Sequence, residues 1–393
     1  MQSKMDASLP PSNDFQEVPS PALVFLPERL ESNIRELIGM VGGNPRRLRL
    51  HCKTHKCSEI AKRVISAGID QHKCATLVEA LMLARAGATD ILVSYPLIGP
   101  NLDIFSKLCK AFPKIIFSFL VDNIFALEAV RSAFLKNSSE GLPNPSVWLD
   151  IDVGMGRTGI GFRDQDAEIS IKKIHDLAKS VVSSGFTLKG LHLYDGQVNM
   201  PDLEDRKVAG SQILEKGLAL RRFLESSMNQ PLAIVVGGSP SFMAHALLGW
   251  EDAVFSPGTL VLHDCGYGSS FSDMNHFQPA ALLLTRVISR PFPGRVTLDL
   301  GYKSVSADPP MGKRAQFPEF PEARIVMQSE EHLVLEGPGL DDLALGRCLW
   351  AIPYHVCPTV ALHDWAVIWE NGQLRKSWEI DARTRFAQWD HLA

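Results

Sequence analysis

The sequence of 393 residues carries no strong excess of charge: 40 Lys and Arg stand against 44 Asp and Glu, a formal net charge of −4. No basic stripe offers nucleic acid a footprint, and no basic amphipathic stretch offers one to a membrane surface. No apolar run approaches the roughly 20 residues needed to span a bilayer. The opening MQSKMDASLPPSNDFQEVPS is polar and rich in Pro and Ser, without the apolar core of a signal peptide, which argues against secretion. Cysteine is sparse and unpatterned. The seven, at positions 52, 57, 74, 109, 265, 348 and 357, are odd in number and scattered. The expectation is reduced thiols in a cytoplasmic protein rather than a disulfide frame.

What is present is a large apolar fraction, 45%, in a chain long enough for a barrel and a second domain. From about residue 22 to 260, short β-type runs alternate with helical patterns. The runs are 47–51, 69–75, 90–96, 114–122, 146–152, 187–195, 232–238 and 252–256, eight in all. Between the first two, SEIAKRVISAGI sets Ile60, Val64 and Ile65 on one face and stops at Gly68; after the second, LVEALMLARAGA does the same with Leu77, Leu81 and Ala84. Strand–helix–strand alternation predicts parallel strands with right-handed crossovers, and eight such units fit a (β/α)8 TIM-type barrel. A doubly wound open sheet has the same periodicity and stays open as an alternative. After about residue 260 the pattern turns to alternating runs such as ALLLTRVISR, HLVLEG and RCLWAIP, separated by Gly, Pro and Asp. The predicted division is a flexible arm over 1–20, the barrel over 21–262 and a C-terminal β-rich domain over 263–393. WENG at 369–372 predicts a hairpin with a type I′ turn.

The active site of such a barrel sits at the C-terminal ends of its strands, and polar residues collect there. They include His51, Lys53 and Thr54 after the first run, Thr76 after the second, and Tyr95 and Asp122 at the ends of the third and fourth. Asp152 and Arg157 follow the fifth, Tyr194, Asp195 and Gln197 the sixth, Gly237, Gly238 and Ser239 the seventh, and Gly258 and Thr259 the eighth. A lone lysine at a strand end is ordinarily just solvated. Buried in a barrel mouth, however, its pKa falls and the neutral amine can form a Schiff base. GGSP (237–240) and SPGT (256–259) add glycines that let backbone N–H groups approach a phosphate, with hydroxyls beside them. A phosphate cradle facing a lysine is what pyridoxal 5'-phosphate requires. Arg157 in DVGMGRTG can bind an anionic oxygen, or form a surface ion pair. In PYHVCPTVALHD, His355 and Cys357 are two apart; on an extended segment both face one side and suit a divalent ion such as zinc. A core His and a buried Cys would give the same spacing. Lys303, Asp308, Glu331 and His332 form further polar clusters, read as turns.

Several of these motifs, in this order, resemble the D-threonine aldolase and D-serine dehydratase family of alanine-racemase-like, fold type III pyridoxal phosphate enzymes. They are HCKTHK, CATLVEA, ILVSYPLIGP, DVGMGRTGI, the SPGT turn, LDLGYKSVSAD, SEEH and PYHVCPTVALHD, and the resemblance runs from about residue 20 to 364. It implies that Lys53 carries the cofactor and Arg157 contacts its phenolic oxygen. It also implies that Gly238, Ser239, Gly258 and Thr259 hold the phosphate, and that His355 and Cys357 bind the divalent metal (Zn, or Mn, Mg or Co). Thr76 and Tyr194 join as candidate cofactor neighbours. Two positions depart from the pattern. Ser256 stands where racemase relatives have an Arg facing the pyridine nitrogen, and Gln197 stands where the aldolase branch often has a His that takes the substrate's hydroxyl proton. Gln cannot act as a base.

The resemblance implies a homodimeric lyase of small D-3-hydroxy amino acids, with no nucleic-acid or membrane partner. The first expectation is a D-threonine aldolase that cleaves Cα–Cβ to glycine and an aldehyde. The alternative is a D-serine or D-3-hydroxyaspartate dehydratase, in which Lys53 removes the α-proton and the products are a keto acid and ammonia. An amino-acid racemase would leave the His-x-Cys pair without a task. A non-catalytic pyridoxal phosphate carrier would have no use for a second domain.

Overall fold

The computed structural model describes residues 9–137, 144–162, 165, 167–250, 252–385 and 389. They form two compact units. One comprises Ile38–Lys53, Ile60–Gly258 and Thr384–Ala393, and the other Met1–Leu37, Thr54–Glu59 and Thr259–Arg383.

The first unit is the predicted barrel. Its eight principal strands are Leu50–His51, Gln71–Cys74, Asp90–Pro96, Ile116–Val121, Ser146–Asp152, Thr187–Leu193, Ala233–Val236 and Ala253–Phe255. They pair in that order, all parallel, and a bridge between Leu48 and Phe255 joins the last strand to the first. The third and fifth runs match their strands to the residue; the others are trimmed at one or both ends. The helix after the second strand, Leu77–Ala86, shows why the local sequence sets its bounds. The Thr76 hydroxyl accepts the Glu79 N–H, and Gly87 closes the other end at φ +99°. Gly190 marks a point where only glycine fits, because a Cβ there would lie 1.9 Å from the Ala233 carbonyl oxygen on the neighbouring strand.

Inside the barrel, Leu92, Leu120, Trp148 and Val235 form an apolar layer. Charged side chains flank it. Arg49 reaches Asp90 at 2.7 Å and Gln71 at 2.9 Å. Asp90 and Gln71 begin their strands, so this cluster lies toward the N-terminal end.

The second unit is built on a nine-stranded sheet. The predicted β-rich runs become strands Ala281–Ser289, Arg295–Leu298, Arg324–Gln328, Leu333–Glu336, Cys348–Pro353 and Trp365–Glu370, with Gln373–Glu379 completing the WENG hairpin. Asn371 and Gly372 have φ of 53° and 70°, the pair of positive values that a type I′ turn requires.

Two parts of the predicted division need correction. Ala22–Phe25 is no part of the barrel. It lies in the middle of this second sheet, antiparallel to Ala281–Ser289 and parallel to Trp365–Glu370. Nor are residues 9–20 of the expected arm free; residues 1–8 lie outside the described residues. Phe15 is fully buried, edge-on to Trp350 with ring centroids 4.8 Å apart, and Trp350 Nε1 donates to the Pro10 carbonyl. The arm's polar composition concealed one aromatic anchor. No helix among the described residues is long and apolar enough to cross a membrane.

Candidate active site

In the barrel unit, Lys53 lies in the turn Cys52–Thr54 that follows the first strand. It is exposed, and among the described residues its amine makes no hydrogen bond. His51 pairs with Lys73 across the first two strands. Lys53 follows that pair in the turn, close enough for its charge to act on the Lys73 amine.

Lys73 starts a buried chain that sequence reasoning missed. Its Nζ donates to His192 Nε2 at 3.2 Å, a bond from the second strand to the sixth that crosses the barrel interior. His192 Nδ1 donates to Asp150 Oδ1 at 2.7 Å, and the Thr158 hydroxyl donates to Asp150 Oδ2 at 2.7 Å. Donors and acceptors alternate consistently along the chain with a neutral imidazole and an ionised carboxylate. Electrostatics agree. Burial, then the nearby Lys53 charge, push the Lys73 amine down to about 7. Burial and Lys73 hold the His192 imidazole below its ordinary value. Burial works to raise the Asp150 carboxyl, but the hydrogen bonds from His192 and Thr158 prevail and lower it. The signal was present as a lysine in the middle of a short buried strand, but a lysine there looks like an edge residue until the barrel closes.

Tyr194 links this chain to the glycine loops. The Arg157 guanidinium lies 4.4 Å above its ring centroid and Lys73 Nζ 5.9 Å from it. The ring packs so closely that a Cβ on Gly196 would come within 2.6 Å of it and one on Gly238 within 3.2 Å. Gly238 caps the helix Ser239–Leu247; its N–H donates to the Ser241 hydroxyl, and Ser239 Oγ accepts the Gly258 N–H at 3.1 Å. A wholly buried pair fixes this helix: Asp195 accepts from Ser241 at 2.7 Å and from His245 at 2.7 Å. Gly237 at φ +90° adopts backbone that L side chains rarely take. Gly237, Gly238, the helix N-terminus and the Ser239 hydroxyl lie together, and such a set fits a phosphate group.

The other predicted barrel residues have local tasks as well. The Thr76 hydroxyl is committed to its helix cap. Ser256 donates to the Arg49 carbonyl. Gln197 Nε2 donates to the Val153 carbonyl at 2.9 Å, while its Oε1 is buried with no partner among the described residues. Glu79, Cys52 and His51 bring three potential ligand atoms within 4.8 Å of one another. They are occupied around the lysine turn: Glu79 accepts the Ala75 N–H at 2.6 Å and the Cys52 thiol, and His51 Nδ1 accepts the Lys53 N–H.

In the β-rich unit, His355 and Cys357 flank the start of the helix Val356–Val360. All seven cysteines are free, and Cys357 alone among them is not buried. Its sulfur lies 3.2 Å from Thr54 Oγ1 and 3.5 Å from Thr259 Oγ1, so Thr259, predicted for the phosphate, lies against the thiol. His355 is hydrogen-bonded to Cys357 and, through Nδ1 at 2.5 Å, to Asp308. Burial opposes the charged imidazole, but Cys357 and Asp308 outweigh it and carry His355 up to about 9. Imidazole and thiol side by side, half-exposed, form a donor set that fits a divalent ion of zinc type.

A closed parallel barrel with a lysine after its first strand, in a chain that also carries a β-rich unit, is the layout of an alanine-racemase-like chain. Comparison with known proteins agrees. Residues 27–261 match the family model "Alanine racemase, N-terminal domain", and residues 280–369 match "Putative serine dehydratase domain". A D-threonine aldolase from Arthrobacter sp is 30% identical over 377 residues, 95% of each chain. The chain belongs to this family. Among solved structures, the D-threonine aldolase of Filomicrobium marinum superposes with a TM-score of 0.80 at 24% identity, covering 94% of this chain and 96% of that one. A D-threo-3-hydroxyaspartate dehydratase, as a cysteine-to-alanine mutant in the metal-free form, gives 0.78 at 21%, covering 93% and 98%. These two likenesses establish the fold.

Proposed function

We propose that this chain is a pyridoxal phosphate- and divalent-metal-dependent lyase of D-3-hydroxy amino acids, read first as a D-threonine aldolase and working as a cytoplasmic homodimer. The observation that carries the reading is the half-exposed His355–Cys357 pair, in a chain whose other six cysteines are buried. A racemase or a carrier would have no use for it. When bound, the cofactor supplies an electron sink for charge at the substrate's α-carbon, and the metal supplies a Lewis acid for the β-hydroxyl.

The chain's own residues do the rest. Lys53 holds the cofactor through its ε-amine, and Gly238, Ser239, Gly258 and Thr259 hold its phosphate. Arg157, braced over Tyr194, donates to the phenolic oxygen. The buried Lys73–His192–Asp150 chain holds a proton at Lys73 Nζ near neutrality. Gln197 braces the glycine loop through Val153 and accepts no proton from a hydroxyl. That last point favours a second reading, a dehydratase acting on D-serine or a D-3-hydroxyaspartate, in which Lys53 takes the α-proton.

Product analysis separates the two. Purified protein with pyridoxal phosphate and Mn²⁺ or Zn²⁺ receives D-threonine and D-serine in turn. Glycine and acetaldehyde from D-threonine support the aldolase reading; a keto acid and ammonia replace it with the dehydratase. Lys53→Ala should abolish the cofactor's imine absorbance, and a surviving band would remove Lys53 from its role.

A further inference from the structure

A closed circuit of hydrogen bonds surrounds His355 in the β-rich unit. His355 Nδ1 donates to Asp308 Oδ2 at 2.5 Å, and the Ser306 hydroxyl donates to the other Asp308 oxygen. The Ser306 N–H donates to Thr359 Oγ1 at 3.1 Å, and the Thr359 hydroxyl donates to the His355 carbonyl at 2.8 Å. The circuit returns to the residue where it began, fixing both the ring and the main chain of His355. His363 Nε2, donating to the Ser304 carbonyl at 2.8 Å, ties the same two segments a second time.

With Nδ1 committed to a carboxylate, the tautomer of a neutral His355 is set and its lone pair lies on Nε2. Asp308 is badly placed to be a ligand itself. Among the described residues, the donor atoms of His51, Cys52 and Glu79 come within 4.8 Å of one another, whereas those of His355, Cys357 and Asp308 do not. We propose that Asp308 is a positioning residue for metal binding: it fixes the tautomer and tilt of His355 so that Nε2, together with Cys357, meets a divalent cation without rearrangement. This rests on the reading that His355 and Cys357 hold a metal.

The test is the affinity of the full-length, cofactor-loaded protein for Zn²⁺ and Mn²⁺, measured by competition with a chromophoric chelator. Asp308→Ala should weaken binding by about 10- to 100-fold, the usual cost of losing such a partner. Asp308→Asn, whose amide oxygen still accepts from Nδ1–H, should recover part of the loss. Unchanged affinity in Asp308→Ala would overturn the inference, and a loss as complete as that of His355→Ala would overturn it in favour of a direct ligand. Should Asp308→Ala fail to fold, Ser306→Ala takes its place, with a weakening of a few-fold expected and none as the refuting result. If His355→Ala bound metal as tightly as the wild type, the metal reading itself would fall, and the inference with it.

Discussion

Lys73→Met tests the buried amine at the centre of the barrel. The substitution keeps an unbranched side chain, one atom shorter, and removes its charge. In the folded protein Lys73 titrates at about 7, against an ordinary 10.5 for an unfolded lysine. Between those values the unfolded chain binds the extra proton, so the folded state gains stability as pH rises. The contribution is fully present above about 10.5 and is lost as pH falls toward 7. At about 1.4 kcal/mol per unit, the whole span is worth roughly 5 kcal/mol as an upper bound. Lys73→Met lacks this term. Leaving His192 Nε2 unpaired adds a cost that does not change with pH across this window.

Urea unfolding of wild type and Lys73→Met between pH 7 and 9.5 should therefore show a difference in stability that grows with pH. The slope should approach about 1.4 kcal/mol per unit in favour of the wild type. Parallel curves would refute the argument. They would mean that Lys73 stays protonated through this range, stabilised by Asp150 through His192 more strongly than burial and Lys53 oppose it.

Two further outcomes follow from the geometry. Stripping divalent metal with a chelator should stop turnover while leaving the imine band intact, and full activity without metal would sink the roles of His355 and Cys357. Gly190→Ala should destabilise the barrel by about 3 kcal/mol or more, because a Cβ beside the Ala233 carbonyl forces two paired strands apart; an unchanged urea midpoint would mean that the strands shift at little cost.

Most barrel strands were legible because they are short apolar runs closed by a polar cap, and Ser146–Asp152 and Asp90–Pro96 coincide with their runs; Gln71–Cys74, which is Gln-His-Lys-Cys, is the exception. Ala22–Phe25 was misplaced because a four-residue apolar run followed by a helix reads the same in either unit. Its partners, Ala281–Ser289 and Trp365–Glu370, are remote in sequence, and periodicity does not report pairing. The site divides in the same way. Lys53, Arg157, His355 and Cys357 stand in compact motifs. Lys73, His192 and Asp150 lie on three strands, each unremarkable alone, and only closure of the barrel joins them. Asp308 read as a turn because its partner, His355, lies 47 residues away.

The placement of Ala22–Phe25 also bears on the order in which the protein can form as it leaves the ribosome. Most of the barrel unit comes from one unbroken stretch, Ile60–Gly258, and its strands pair with neighbours already synthesised. The β-rich unit has no such option. Its early strand needs Trp365–Glu370, and Trp350 reaches back 340 residues to Pro10. One edge of Ala22–Phe25 thus stays unpaired until Ala281–Ser289 is made and the other until Trp365–Glu370 is made, in a segment with three fully buried apolar residues. Chaperone dependence and aggregation should trace to this strand rather than to the barrel, and a chain released short of residue 365 would leave it without a partner on one side.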